Sequence, residues 1–189
     1  QWFDIYSTNA FGMDRPPEDP PDPAVLNFQR VLLQREIMVR YGDGNKAVWF
    51  NEYGWNASPA SFPDEALIWK RVSEDEQAEY TVRGIDMARS EWPWAGVFFI
   101  WYFRQVGQIP DTSSEYYFRM VDPDFTPRPV YFAVQKAARQ GPAGLGYYEE
   151  TNPAVKALGP WQNAIDSEAS GGSYMHSDAP GASVTLTFD

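Results

Sequence analysis

Apolar and polar positions alternate in short blocks along the chain, and the period changes from block to block. Residues 2–11, WFDIYSTNAF, alternate loosely and are rich in β-formers, which predicts a strand. Residues 12–23, GMDRPPEDPPDP, hold five prolines and so can form neither a helix nor an inner strand. Over residues 24–41 the spacing turns helical, with Val25, Phe28, Val31 and Leu32 on one face. GDGN (42–45) ends that helix and turns the chain into KAVWFNEYGWNASP (46–59), an aromatic strand interrupted by Glu52 and released at Gly54. A loop over 56–72 follows. Ser73 then stands three residues before Glu76, the capping-box spacing that starts a helix, with Ala78, Val82, Ile85 and Arg89 along one side and Pro93 beyond its end. AGVFFIWYF (95–103) is a continuous apolar run, as expected of a strand covered on both faces. After a loop over 104–127, a last helix begins near Pro129.

Strands alternating with helices imply βαβ units and a parallel α/β sheet. The loops leaving the strands are long and those returning to them are short. That asymmetry predicts an α/β (TIM-type) barrel, whose site lies on the loops following its strands. A doubly wound open sheet is the alternative, although no Gly-rich phosphate loop follows any of the strands. Residues 1–140 form this part. Residues 141–160 read as a linker, and 161–189, with Gly/Ser turns and alternating Val184, Leu186 and Phe188, as the first strands of a β-sandwich, too few to close one.

The parallel-sheet reading puts Glu52 at the carboxyl end of its strand, with Asn9 and Trp101 at matching positions on the neighbouring strands. An acid, an amide and an indole at one rim suit glycoside cleavage by the retaining route, in which one carboxylate attacks the anomeric carbon and another protonates the leaving oxygen. Asn9, Asn51 and Tyr53 are candidate donors to that carboxylate. The structural alternatives are an ion pair of Glu52 with Arg83 or Arg104, core packing of Trp101 and a turn role for Asn9. Asn56-Ala57-Ser58 matches a glycosylation sequon, followed by Pro59. Glu18, Asp19, Asp22, Glu74, Asp75 and Glu76 read as surface or helix-start charges, and Asp122 and Asp124 as turn formers.

Charge and composition narrow the chemistry. The 189 residues carry 15 basic and 26 acidic side chains, a net charge of −11 that disfavours nucleic acid as a partner. There is no cysteine and one histidine, His176, which argues against a thiolate site, a histidine metal site or a Ser-His-Asp triad. No cofactor and no membrane span are expected, since no apolar run has the length of a spanning helix. Aromatic residues make up 16% of the chain, enough for a large core and for platforms under a sugar ring.

VWFNEYGWNASP resembles the seventh strand and exit loop of clan A glycoside hydrolases, (β/α)8 barrels that include families 5 and 39. GVFFIWYF resembles the eighth strand, and YFRMVDPDFTPRPVYFAVQKAA the run leading into the last helix, with Asp124, Thr126, Pro127, Pro129 and Tyr131 as counterparts of its motif. FDIYSTNAFG is similar to the sixth strand, and residues 161–188 to the opening of an accessory β-sandwich. The resemblance covers about residues 2–139. It implies the last three β/α units of a barrel, with Glu52 as the nucleophile and Trp101 flooring the subsite for the cleaved sugar. Asn9, Phe11, Tyr53 and Trp55 complete the substrate-binding candidates.

Two departures go with it. Asn9-Ala10-Phe11 stands where many members carry His-x-Tyr, so the tyrosine hydroxyl that contacts the nucleophile is missing. The acid/base Glu that follows an Asn on the fourth strand has no counterpart, Asn51-Glu52 being the only Asn-Glu. The resemblance therefore implies a piece of a longer enzyme that requires its amino-terminal half and has little turnover alone. Its substrate would be a β-linked oligo- or polysaccharide, its setting bacterial and extracellular. Non-catalytic sugar binding on the same scaffold is the alternative.

Overall fold

The computed structural model describes residues 2–105, 107–140 and 148–188. The chain forms two compact units, Gln1–Val134 and Gln135–Asp189. In the first, strands β1 (Ile5–Phe11), β2 (Ala47–Gly54) and β3 (Ala95–Ile100) form a parallel sheet in sequential order. Helices α1 (Val31–Arg40) and α2 (Glu74–Glu91) connect them, and α3 (Pro129–Gln140) follows the last exit loop. The result is a mixed α/β unit with three βα repeats.

One face of the sheet is covered. Val48, Phe50 and Tyr53 of β2 are fully buried, and around them pack Phe28, Trp92, Phe98, Ala88 and Val31. Phe50 and Phe98 stack with ring centroids 4.0 Å apart, and Phe28 touches Phe50, Tyr53, Trp55 and Trp92. Aromatic pairs of this kind each add about 0.5–1.5 kcal/mol beyond the area they bury. The other face is open: Ile5, Ser7, Asn9 and Asn51 are exposed, and Phe99 is 48% exposed. The expectation that β3 is covered on both faces is thus corrected. Its apolar run serves a buried side (Phe98) and an uncovered one, where Phe99 meets Trp49.

Helix starts follow local chemistry. α2 begins as its capping box predicts, with Ser73 Oγ accepting from Glu76 N and the Glu76 carboxylate accepting from Ser73 N (2.8 Å). α1 begins later than the helical spacing suggests. The Asp22 carboxylate accepts from Ala24 N (2.7 Å) and its carbonyl from Val25 N, a turn that competes with helix. Asn27 is then extended, a short 3-10 turn covers Phe28–Arg30, and α1 follows.

The second unit holds two antiparallel pairs, β4 (Val155–Leu158) with β7 (Ser183–Leu186) and β5 (Gln162–Ile165) with β6 (Ser173–His176). β4 falls inside the stretch expected to be linker: alternating Val155 and Ala157 give it a strand's period, and β7 supplies the partner. Residues 141–147 of that stretch lie outside the described residues.

Two substitutions test these contacts. A Cβ on Gly84 of α2 would collide with the Tyr53 hydroxyl, which the surrounding rings hold in place. Gly84→Ala is therefore expected to destabilise by about 1–2 kcal/mol despite alanine's higher helix propensity. In a Tyr53→Phe background, which removes the clashing oxygen, the added cost should largely vanish; urea unfolding of the four proteins measures both. Ser73→Ala should cost about 1 kcal/mol. The Ser73 amide and hydroxyl hold the Glu76 carboxyl below its ordinary range, so this contribution is present above the ordinary carboxylate pKa and fades as pH falls through the lowered value. Unfolding midpoints of wild type and Ser73→Ala should draw closer in acid, with the bond from the Glu76 amide to the Ser73 hydroxyl preserving part of the difference.

Candidate functional site

The register of β1 on β2 decides where Glu52 points. Tyr6 pairs with Val48 and Thr8 with Phe50, but the next pair is Asn9 with Glu52, followed by Ala10 with Tyr53 and Phe11 with Gly54. Asn51 is an extra residue, a β-bulge, on β2. Paired residues on parallel strands share a face, so Tyr6/Val48, Thr8/Phe50 and Ala10/Tyr53 lie on the helix side. Ser7/Trp49 and Asn9/Glu52 lie on the open side. Uninterrupted alternation would have put Glu52 behind Phe50, among aromatic rings, where an ionised carboxylate carries a large desolvation penalty. The bulge shifts the phase by one, and Glu52 emerges on the uncovered face at the carboxyl end of the central strand.

There Asn9 Nδ2 donates to Glu52 Oε2 at 2.8 Å. Among the described residues Glu52 forms no ion pair. Arg83 is engaged by Glu18 and Glu79, and Arg104 lies over the Phe125 ring. Neither arginine weighed against Glu52 is its partner.

The other candidates separate. Asn51, the bulged residue, is exposed. Tyr53 is buried on the opposite face, its hydroxyl donating to Thr81 O (2.7 Å), so it is neither a donor to Glu52 nor a sugar contact. Burial, reinforced by Asp86, raises its pKa well above the ordinary phenol value and keeps it neutral. Trp55 is also a core residue: its ring packs on Phe28, Tyr53 and Tyr80, and its Nε1 donates to Arg15 O (2.7 Å). Both residues follow the bulge, where period 2 no longer tells which way a side chain faces. Trp101 stands just past β3, its N–H donating to Tyr53 O (2.8 Å) and its half-buried ring edge-on to Tyr102 at 5.5 Å. The Trp101–Tyr102 peptide bond is cis. Phe11 ends β1, half-buried against Trp69 and Phe118.

The exit loops of β2 and β3 are clamped by two buried amides that the sequence reading missed. Gln77 of α2 is buried, with Nε2 donating to Trp55 O (2.7 Å) and Tyr117 O (3.1 Å). Asn56 is 0% exposed: Nδ2 donates to Ser114 O (2.6 Å), and Oδ1 accepts from Ser58 N and the Ser58 hydroxyl. The sequon asparagine is thus closed to modification in the folded chain, because its amide is the link between loops. The signal for Gln77 was its place on the apolar side of α2, next to Ala78 and Thr81. Arg119, also buried, ties the second loop by pairing with Asp122 and lying over the Tyr116 ring (3.7 Å). Among the described residues no helix is long and apolar enough to cross a membrane, and no three His, Cys, Asp or Glu side chains converge as a metal site requires.

No family model and no curated protein matches the chain. Solved structures do, glycoside hydrolases among them. A GH2 beta-galacturonidase from Eisenbergiella tayi bound to glycerol is 20% identical over 78% of this chain and 25% of its own, with a TM-score of 0.50. A family 39 glycoside hydrolase from Bacteroides cellulosilyticus WH2 is 21% identical over 71% and 26%, with a TM-score of 0.46. Faecalibacterium prausnitzii beta-glucuronidase is 22% identical over 71% and 22%, with a TM-score of 0.44. The chain spans about a quarter of the length of these structures. The likeness to the galacturonidase is one of fold.

Replacing Gln77 with leucine takes away the donor to the buried Trp55 carbonyl and leaves the Tyr117 carbonyl with the Ala57 N–H alone, and is expected to cost about 1–3 kcal/mol. Proteolysis within 56–72 and 104–120 should accelerate in that variant, while α1, which Gln77 does not hydrogen-bond, keeps its protection from hydrogen exchange.

Proposed function

We propose that this chain belongs to a retaining glycoside hydrolase and carries its nucleophile, Glu52, on the last three β/α units of a (β/α)8 barrel. The observation that carries the reading is the Asn9–Glu52 pair: a carboxylate on the open face, at the carboxyl end of the central parallel strand, held by an amide and without an ion pair among the described residues. An attacking carboxylate must be ionised and unencumbered, and an ion pair would tie up the lone pair that attacks the anomeric carbon. Asn9 satisfies one oxygen and fixes the carboxyl plane, leaving the other to react.

In this reading the open face of β1–β3 is the interior of the barrel, and the preceding strands supply the general acid about 5–5.5 Å from Glu52. Trp101, one residue beyond β3, forms the floor of the subsite for the cleaved sugar. The substrate class proposed is a β-linked glycoside, which the fold shared with the beta-galacturonidase supports. The second unit is the start of an accessory β-sandwich, and the setting is extracellular. These residues alone, without the acid, turn over poorly.

Sugar binding without hydrolysis is the second reading. It is favoured by Phe11, which brings a ring without a hydroxyl to the end of β1, and by the Tyr53 hydroxyl, which is committed to Thr81. One variant separates the two in the complete enzyme. Glu52→Gln should lower kcat by at least about 10³-fold on an aryl β-glycoside while sugar affinity changes little. Turnover undiminished in that variant refutes the catalytic role, and sugar binding by a wild type that hydrolyses nothing selects the second reading.

A further inference from the structure

A cleft of about 280 Å³ lies between the loops that leave β1 and β2, and it adjoins the Glu52 site through a shared residue. Its volume is just below that of drug-sized ligand pockets, about 300–1,000 Å³. Phe11, Trp69 and Leu26 give it apolar surface, and Asn9, Gln34 and Arg30 give it polar groups. Asn9 is the residue that holds Glu52, so anything bound in the cleft lies one amide away from that carboxylate.

Among the described residues Arg30 is the one formal charge of the lining and no carboxylate lines it, while Asn27, also in the lining, holds a buried Oδ1 acceptor without a protein partner. The Arg30 Nη1 donates to the carbonyls of Asp22, Pro23 and Val25 (3.2, 2.6 and 3.0 Å), which fixes the guanidinium without neutralising it. Among the described residues Arg30 forms no ion pair, in a chain with 26 acids, whereas nearby Arg15 is paired with Asp19. Its Nε and Nη2 donors have no protein partner among those residues. Gln34 Oε1 accepts from Thr8 Oγ1 (2.8 Å), which leaves the Gln34 amide N–H groups available as well.

We propose that this cleft is a subsite for a carboxylate-bearing sugar, so that the site takes acidic glycosides. The ring lies against Phe11 and Trp69, the carboxylate on the fork of Arg30, and hydroxyls on the Gln34 and Asn9 amides. The chain's net negative charge opposes anions at long range, so the preference arises by contact within the cleft. The proposal refines the substrate class of the Glu52 site and rests on that reading for its link to catalysis.

Calorimetric titration of the chain with phenyl β-D-glucuronide, its methyl ester and phenyl β-D-glucoside tests it. The glucuronide is expected to bind about tenfold tighter than either neutral compound, as one charge-assisted pair implies, with the gap narrowing in high salt. Arg30→Gln should erase the gap and leave glucoside affinity unchanged. Arg30→Lys, which keeps the charge and loses the fork, should retain part of it. Equal affinity for the three sugars, a preference that survives Arg30→Gln, or no measurable binding of any of them overturns the subsite. Because the readout is binding, it separates from the hydrolytic reading: a glucuronide preference beside full turnover by Glu52→Gln keeps the subsite and removes the nucleophile.

Discussion

One extra residue in the central strand governs the arrangement of this protein. Were Asn51 an ordinary, unbulged position, β2 would present Val48, Phe50 and Glu52 to the helices, and Trp49, Asn51 and Tyr53 to the open side. Because Asn51 is bulged out of the pairing, Phe50 and Tyr53 both enter the aromatic core, and Glu52 is carried out to meet Asn9. A carboxylate among Phe28, Phe98 and Trp92 has no donor and no water, and burying it would cost more than the unpaired backbone group that a bulge leaves behind. The bulge thus satisfies the core and exposes the acid in one step.

The rest of the first unit supports that step. Tyr53, next after Glu52, is locked by rings and by its bond to Thr81, which fixes the strand immediately after the bulge. Gln77 and Asn56 then bind the loops beyond it to one another and to α2. The strand end that carries the carboxylate is therefore rigid on its core side and open on its other side, the combination that a positioned reactive group requires.

Much of this was legible in the sequence. The order of strands and helices, the start of α2 at Ser73 and the placing of Glu52 beside Asn9 at a strand end follow from period, capping chemistry and the logic of parallel sheets. What failed to show was phase. A bulge has no composition of its own here, so strict alternation could not separate Glu52 from Phe50 or send Tyr53 and Trp55 to the core. Asn56 and Gln77 look like surface residues by type, and only the loops they join, distant in sequence, make them structural. The early start read for α1 failed for a local reason: the Asp22 turn competes with helix before Val31. β4 was hidden in a stretch rich in turn residues because its partner, β7, lies almost thirty residues downstream.

The central claim is that Glu52 forms a covalent bond to sugar, and the bond itself is the most direct test. A 2-deoxy-2-fluoroglycoside with a dinitrophenyl leaving group departs without acid assistance and slows hydrolysis of the glycosyl ester, so only the nucleophile is interrogated. After incubation and digestion, mass spectrometry should find the fluorosugar esterified to the peptide containing residues 46–59, at Glu52. An adduct on another carboxylate, or none on a protein that binds the compound, would contradict the account.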